Sequence, residues 1–172
     1  PKYSQVMYIL ESVPALVKAK PELAKVAPFS TVLEELKGDH AAMKKLTEED
    51  LFKLLAATST GMSEEAFAID AKKWLAAAKD PRWKRPYTDL TYLPMQELLA
   101  YLRANGYKTY IVTGGGQDFV RAYAEKVYGV PPEQVVGSAL DTKYIYAADG
   151  KPVLIKEPKL LLNNNNAGKV KD

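Results

Sequence analysis

From Tyr3 to about Lys79 the apolar positions recur every three or four residues, the spacing of one helix face. "SQVMYILESVPALVKA" predicts a helix that Pro14 is expected to kink or end, because proline removes an amide donor and crowds the preceding turn. In "LTEEDLFKLLAATS", Thr47 stands three residues before Asp50, close to a capping box. "MSEEAFAIDAKKWLAAAK" has Ser63 placed as N-cap, acidic residues in the first turn and lysine in the last, an order that suits the helix dipole. Its apolar face is Phe67, Ala71, Trp74, Leu75 and Ala78, a stripe better suited to a core than to a cofactor. This half is expected to be a small helical bundle.

After "DPRWKRPYTDLTYLP" the texture changes. "PMQELLAYLRANG" predicts a helix with Pro94 just before its start and Gly106 as its stop. "YKTYIV" is expected to be a short strand, buried enough to lack strict alternation. "DFVRAYAEKVYG" is the next helix and "QVVGSA" a further strand. "KYIYAADGKPVLIK" predicts a hairpin turning at Asp149-Gly150, and "LLLNNNNAGKVKD" runs into a polar tract with no closing element. Helix, strand, helix, strand in that order indicates an α/β sheet with crossover connections.

One stretch asks for a chemical explanation. In "YKTYIVTGGGQDFVRAYAEKVYG" the strand ends in Thr113 and three glycines and feeds a helix directly. That arrangement presents backbone N–H groups and a helix dipole to an anion, and glycine permits close approach or positive φ. Thr113 adds a hydroxyl at the carboxyl end of the strand, where open α/β sheets bind ligands. A tight strand-to-helix turn without a ligand accounts for the same residues. The stretch is neither a Walker loop, since no Gly-Lys-Ser/Thr follows, nor a dinucleotide fingerprint, since the glycines are consecutive. With no evident base nearby, Thr113 is suited to orienting a phosphate rather than attacking one.

Composition removes several alternatives. With 47% hydrophobic and 26% charged residues, the chain is expected to be globular. Its 24 basic and 21 acidic residues give a net charge of +3, too little to imply nucleic acid. The densest basic run, "KDPRWKRPY", fits a solvated linker better than a phosphate-rich partner. The absence of cysteine rules out disulfides and thiolate sites. The single histidine, His40, is expected near a helix start and makes a zinc cluster or a Ser-His-Asp triad improbable. No apolar run approaches the ~20 residues that span a bilayer, and no signal peptide is seen. The chain opens on Pro1 rather than Met, so translation is expected to start elsewhere.

The stretch "PMQELLAYLRANGYKTYIVTGGGQDFVRAYAEKVYGVPPEQVVGS" resembles the haloacid dehalogenase-like hydrolases, specifically the bacterial phosphatase branch related to phosphoserine phosphatase. The resemblance covers about Tyr87 to Lys169. It implies a partial Rossmann-type three-layer core over residues 87–172 and an inserted helical cap over residues 1–86. It also implies Mg²⁺-dependent phosphomonoester hydrolysis through an aspartyl-phosphate. "VTGGG" matches the second family motif, which assigns Thr113 and the backbone of Gly114 and Gly115 to phosphate contact. The third motif is a lysine that neutralises the phosphate. "AGK" points to Lys169, and Lys159 in "EPKL" is the other candidate.

The first motif, Asp-x-Asp-Gly-Thr, and the fourth, an acidic pair for Mg²⁺, have no match here. Asp149 is expected in a turn, Asp70 lies mid-helix, and Asp141 lacks a second aspartate two residues on. The chain is therefore expected to be an internal piece of a longer enzyme, without its metal ligands, inactive alone and marginally soluble at its uncovered sheet edges. A non-catalytic anion-binding or regulatory module of the same fold is the alternative. A small phosphorylated substrate is expected in place of nucleic acid or membrane. Trp74, Trp83, Tyr87 and Tyr92 are candidate cap or hinge contacts, with core packing favoured for each. Relatives in this branch often carry export signals, so a periplasmic or secreted home and a cytoplasmic one both remain open.

Overall fold

The computed structural model describes residues 4–38, 42–165 and 168–169. His40 lies outside the described residues. Among the described residues, six α-helices precede or punctuate a three-stranded sheet: α1 Ser4–Ala19, α2 Phe29–Leu36, α3 Glu48–Ser59, α4 Glu64–Ala77, α5 Leu93–Ala104 and α6 Gln117–Tyr128. The strands are β1 Ile111–Gly116, β2 Val135–Tyr146 and β3 Pro152–Leu162, in the order β1-β2-β3. β1 and β2 are parallel and joined through α6, whereas β2 and β3 form an antiparallel hairpin. The α/β class and the crossover expected from the sequence are those of the fold. No described helix is long and apolar enough to cross a membrane.

Local signals placed several ends correctly. Thr47 caps α3 with a full capping box: its hydroxyl accepts from the Asp50 amide at 3.1 Å, and the Asp50 carboxylate accepts from the Thr47 amide at 3.0 Å. Ser63 caps α4 by accepting from the Ala66 amide at 3.0 Å. Gly150, at φ +79°, makes the β2–β3 turn.

Three expectations are corrected or narrowed. α1 runs through Pro14 to Ala19, so of the expected kink or end the end does not occur. The last turn of α4 has no basic residue, since the helix stops before Lys79. The strand expected over "YKTYIV" instead begins at Ile111, where pairing to Val135 first becomes available, and continues through the glycines.

The core is an aromatic-rich cluster between the helices and the sheet. Tyr8 of α1 packs on Phe67 and Trp74 of α4 and on Phe119 of α6, with ring centroids 5.2–5.9 Å apart. Trp74 stacks on the buried Tyr87 at 5.4 Å. Core packing holds for those two aromatics, but Trp83 and Tyr92 are 57% and 77% exposed. The "PRWKR" loop is folded on Asp80, whose carboxylate accepts from the Arg82 and Trp83 amides, leaving the Trp83 ring on the surface under Arg82. The helices are also stitched to the hairpin: the Gly61 amide donates to the Lys156 carbonyl and the Lys156 amide to the Met62 carbonyl, each at 2.9 Å.

Candidate functional site

The β1–β2 ladder breaks where the glycines begin. Ile111 and Val112 pair with Val135 and Val136, and the next pair is Gly116 with Ser138. Four steps along β1 thus match two along β2, a bulge that throws Thr113, Gly114 and Gly115 out of register. None of Gly114, Gly115 and Gly116 has positive φ; they serve close approach instead. A Cβ on Gly114 would fall 2.5 Å from Asn165 Oδ1, and one on Gly115 would fall 2.9 Å from Gln5 Oε1.

Two of the N–H groups expected to await an anion are engaged. Gly115 N–H donates to Thr113 Oγ1 at 3.0 Å, so the threonine hydroxyl folds back on its own loop. Gly116 N–H donates to the carboxamide oxygen of Gln5 at 2.7 Å. A side chain of α1 therefore holds an oxygen where an anionic oxygen was expected.

Lys169, 56 positions beyond Thr113, returns to β1 and donates from Nζ to the Val112 carbonyl at 3.2 Å. Lys159 lies elsewhere, paired with Asp141 at 3.2 Å on the surface. That hydrogen bond, with one from the Thr142 amide, holds the Asp141 carboxyl below its ordinary range. Asp149 sits in the hairpin turn, as expected, and Asp70 accepts from Tyr8 Oη at 2.8 Å. Burial, then the bond to Asp70, pushes the Tyr8 hydroxyl far above the usual tyrosine range.

Three residues of this region were not singled out by sequence. The Asn tract closes over the strand ends: the fully buried Asn164 donates from Nδ2 to the Thr113 carbonyl at 3.2 Å and the Val136 carbonyl at 3.4 Å. Ser138 Oγ donates to the Gly114 carbonyl at 3.0 Å and accepts from the Asn164 amide at 3.1 Å. Lys156, 3% exposed, pairs with Asp118 in the first turn of α6 and lies 4.9 Å from the Phe67 ring centre. Only the acidic residue at the start of α6 hinted at that pair, and it was equally well explained by the helix dipole.

A cleft of about 520 Å³ opens beside the glycines, between α1, α3 and the β2–β3 hairpin. Glu48 and Glu49 of α3 line it, but Glu48 accepts from Asn165 and Glu49 pairs with Lys53 at 2.9 Å. Among the described residues no group of three carboxylate, histidine or cysteine side chains could hold a metal ion. Asp118, the carboxylate nearest the turn in sequence, is committed to Lys156.

The sequence model of the haloacid dehalogenase-like hydrolases matches residues 11–162. Among solved structures, a phosphoserine phosphohydrolase-like protein from Francisella tularensis subsp. tularensis SCHU S4 is similar, at 19% identity and a TM-score of 0.35. The alignment covers 91% of this chain and 60% of that one. No curated protein matches the chain.

Proposed function

The chain belongs to the haloacid dehalogenase-like hydrolase family, and from that membership we propose that it forms the phosphate-holding part of a phosphomonoester hydrolase. The observation that carries this reading is the return of Lys169 to the Val112 carbonyl, one residue before Thr113 at the break in the ladder. A phosphoryl group seated there takes a hydrogen bond from the Thr113 hydroxyl and the Gly114 and Gly115 backbone, while the Lys169 ammonium offsets its charge. Binding frees Thr113 Oγ1 from Gly115 and displaces the Gln5 carboxamide from Gly116. Residues 1–86 act as the cap and residues 87–172 as the core. The family uses Mg²⁺ and an aspartate nucleophile.

Asp70, Asp118, Asp141 and Asp149 are each tied to another side chain, so none is offered as nucleophile. These 172 residues alone are therefore proposed to bind phosphate without turning over an ester. The same engagement favours the second reading, a non-catalytic anion-binding module of this fold. An Asp-x-Asp-Gly-Thr sequence encoded upstream decides between the two.

The test is a phosphate titration followed by amide chemical shifts, with p-nitrophenyl phosphate and Mg²⁺ as the activity control. Shifts should centre on residues 113–117, Lys169→Met should weaken binding about tenfold, the scale of a charge-assisted hydrogen bond, and no nitrophenol should appear. Phosphate shifts that avoid the glycine turn, or a Lys169→Met variant that binds as before, would sink the assignment.

A further inference from the structure

The walls of the cleft beside the glycine turn define what accompanies the phosphate. One end is formed by Gly114–Gly116, and Val6, Phe52, Leu55, Leu140 and Leu160 make up much of the remainder. Phe52 and Leu160 stand apart from the hydrophobic core, which includes Leu51 and Leu55 as packed neighbours but neither of these two. Both are half-buried, so their apolar surface is spent on the cleft rather than on folding. The volume, about 520 Å³, falls within the roughly 300–1,000 Å³ of small-molecule sites. The polar lining is uncharged or acidic: Gln5, Ser138, Asn163 and Asn165, with Glu48 and Glu49 at the start of α3. Among the described residues, no lysine or arginine lines the cleft.

We propose that this cleft receives the alcohol half of a phosphomonoester whose alcohol is apolar, an alkyl or aryl group, and that it disfavours alcohols bearing a carboxylate or a second phosphate. The inference rests on reading the glycine turn as the phosphoryl site. Apolar walls gain from removing hydrocarbon from water, whereas a second anion would meet the Glu48 carboxylate and a Glu49 already paired with Lys53, with no lysine or arginine in the lining to receive it. Phe52 and Leu160 are the specificity-determining residues, facing the ligand from α3 and from β3.

The experiment titrates the full chain by calorimetry with inorganic phosphate, methyl, butyl and hexyl phosphate, phosphoserine, and hexanol. Affinity should rise about fourfold per buried methylene. Hexyl phosphate should bind at least about tenfold more tightly than inorganic phosphate, and phosphoserine more weakly than methyl phosphate. Phe52→Ala should cut hexyl phosphate affinity about tenfold and leave inorganic phosphate unchanged. If that variant does not fold, the chain-length series on the unaltered protein carries the test.

Phosphate binding with no dependence on chain length, or phosphoserine preferred over butyl phosphate, overturns the apolar-alcohol inference and leaves the phosphoryl site standing. Hexyl phosphate binding no tighter than hexanol, with no response to inorganic phosphate, overturns the phosphoryl site and the inference with it.

Discussion

α5 and α6 flank β1, have the same length of 12 residues, and look alike as sequence. α6 buries Phe119, Val120, Tyr123 and Ala124; α5 buries nothing. Leu93, Met95, Leu98 and Tyr101 of α5 are all at least 45% exposed. Its tethers are polar: Gln96 Nε2 donates to the Val127 carbonyl, and Arg103 reaches the Thr109 hydroxyl. Periodicity and capping thus establish that a helix exists, but burial requires a facing surface. α6 finds one in α1, α4 and β2. α5 and the neighbouring Tyr107, Tyr110 and Val112 on the β1 side find none among the described residues.

The contrast is broken most severely at Phe119. It is 1% exposed and touches Tyr8, Trp74 and Tyr123, so Phe119→Ala should cost about 3–5 kcal/mol in urea unfolding. An unchanged midpoint would mean that α6 is not held by this cluster. Next comes Lys156→Met, which leaves the Asp118 carboxylate without its cation; Asp118 keeps 21% exposure, so the expected loss is roughly 2–3 kcal/mol.

A smaller effect appears at alkaline pH. The folded Tyr8 hydroxyl holds its proton more tightly than the unfolded one. Its contribution is therefore full below about pH 10 and declines as pH rises toward the folded value. The urea midpoint should hold steady from neutrality to that point and fall beyond it, with a shallower fall in Tyr8→Phe. Tyr123 shares the upward shift, so the slope should not vanish. The smallest change belongs to α5: Leu98→Gln should move stability by no more than about 0.5 kcal/mol. A loss near that of Phe119→Ala would show that α5 has a covered face after all.

Legibility in the sequence followed the range of the interaction. Thr47, Ser63 and Asp149-Gly150 act on residues within three or four positions, and each was readable. The glycine turn was recognised as a special stretch, yet its conformation was not, because the bulge depends on the offset between β1 and β2. Gln5 reaches Gly116 across 111 positions, and Lys156 reaches Asp118 across 38. A glutamine in the first turn of an amphipathic helix and a lysine in a strand give no local sign of such partners. Lys169 was reached through family resemblance alone, since a lysine in a polar tail is unremarkable by pattern. The same tail forms no α-helix or strand among the described residues, and the buried Asn164 had no local sign of its bonds to the Thr113 and Val136 carbonyls.

That asparagine sets an order of assembly. The carbonyls of Thr113 and Val136 have no Asn164 carboxamide to bond until that residue, 51 positions after the first and 28 after the second, comes off the ribosome. Lys169 is made later still. Without residues 164–169 the Thr113 and Val136 carbonyls lose the Asn164 carboxamide and the Val112 carbonyl loses the Lys169 ammonium.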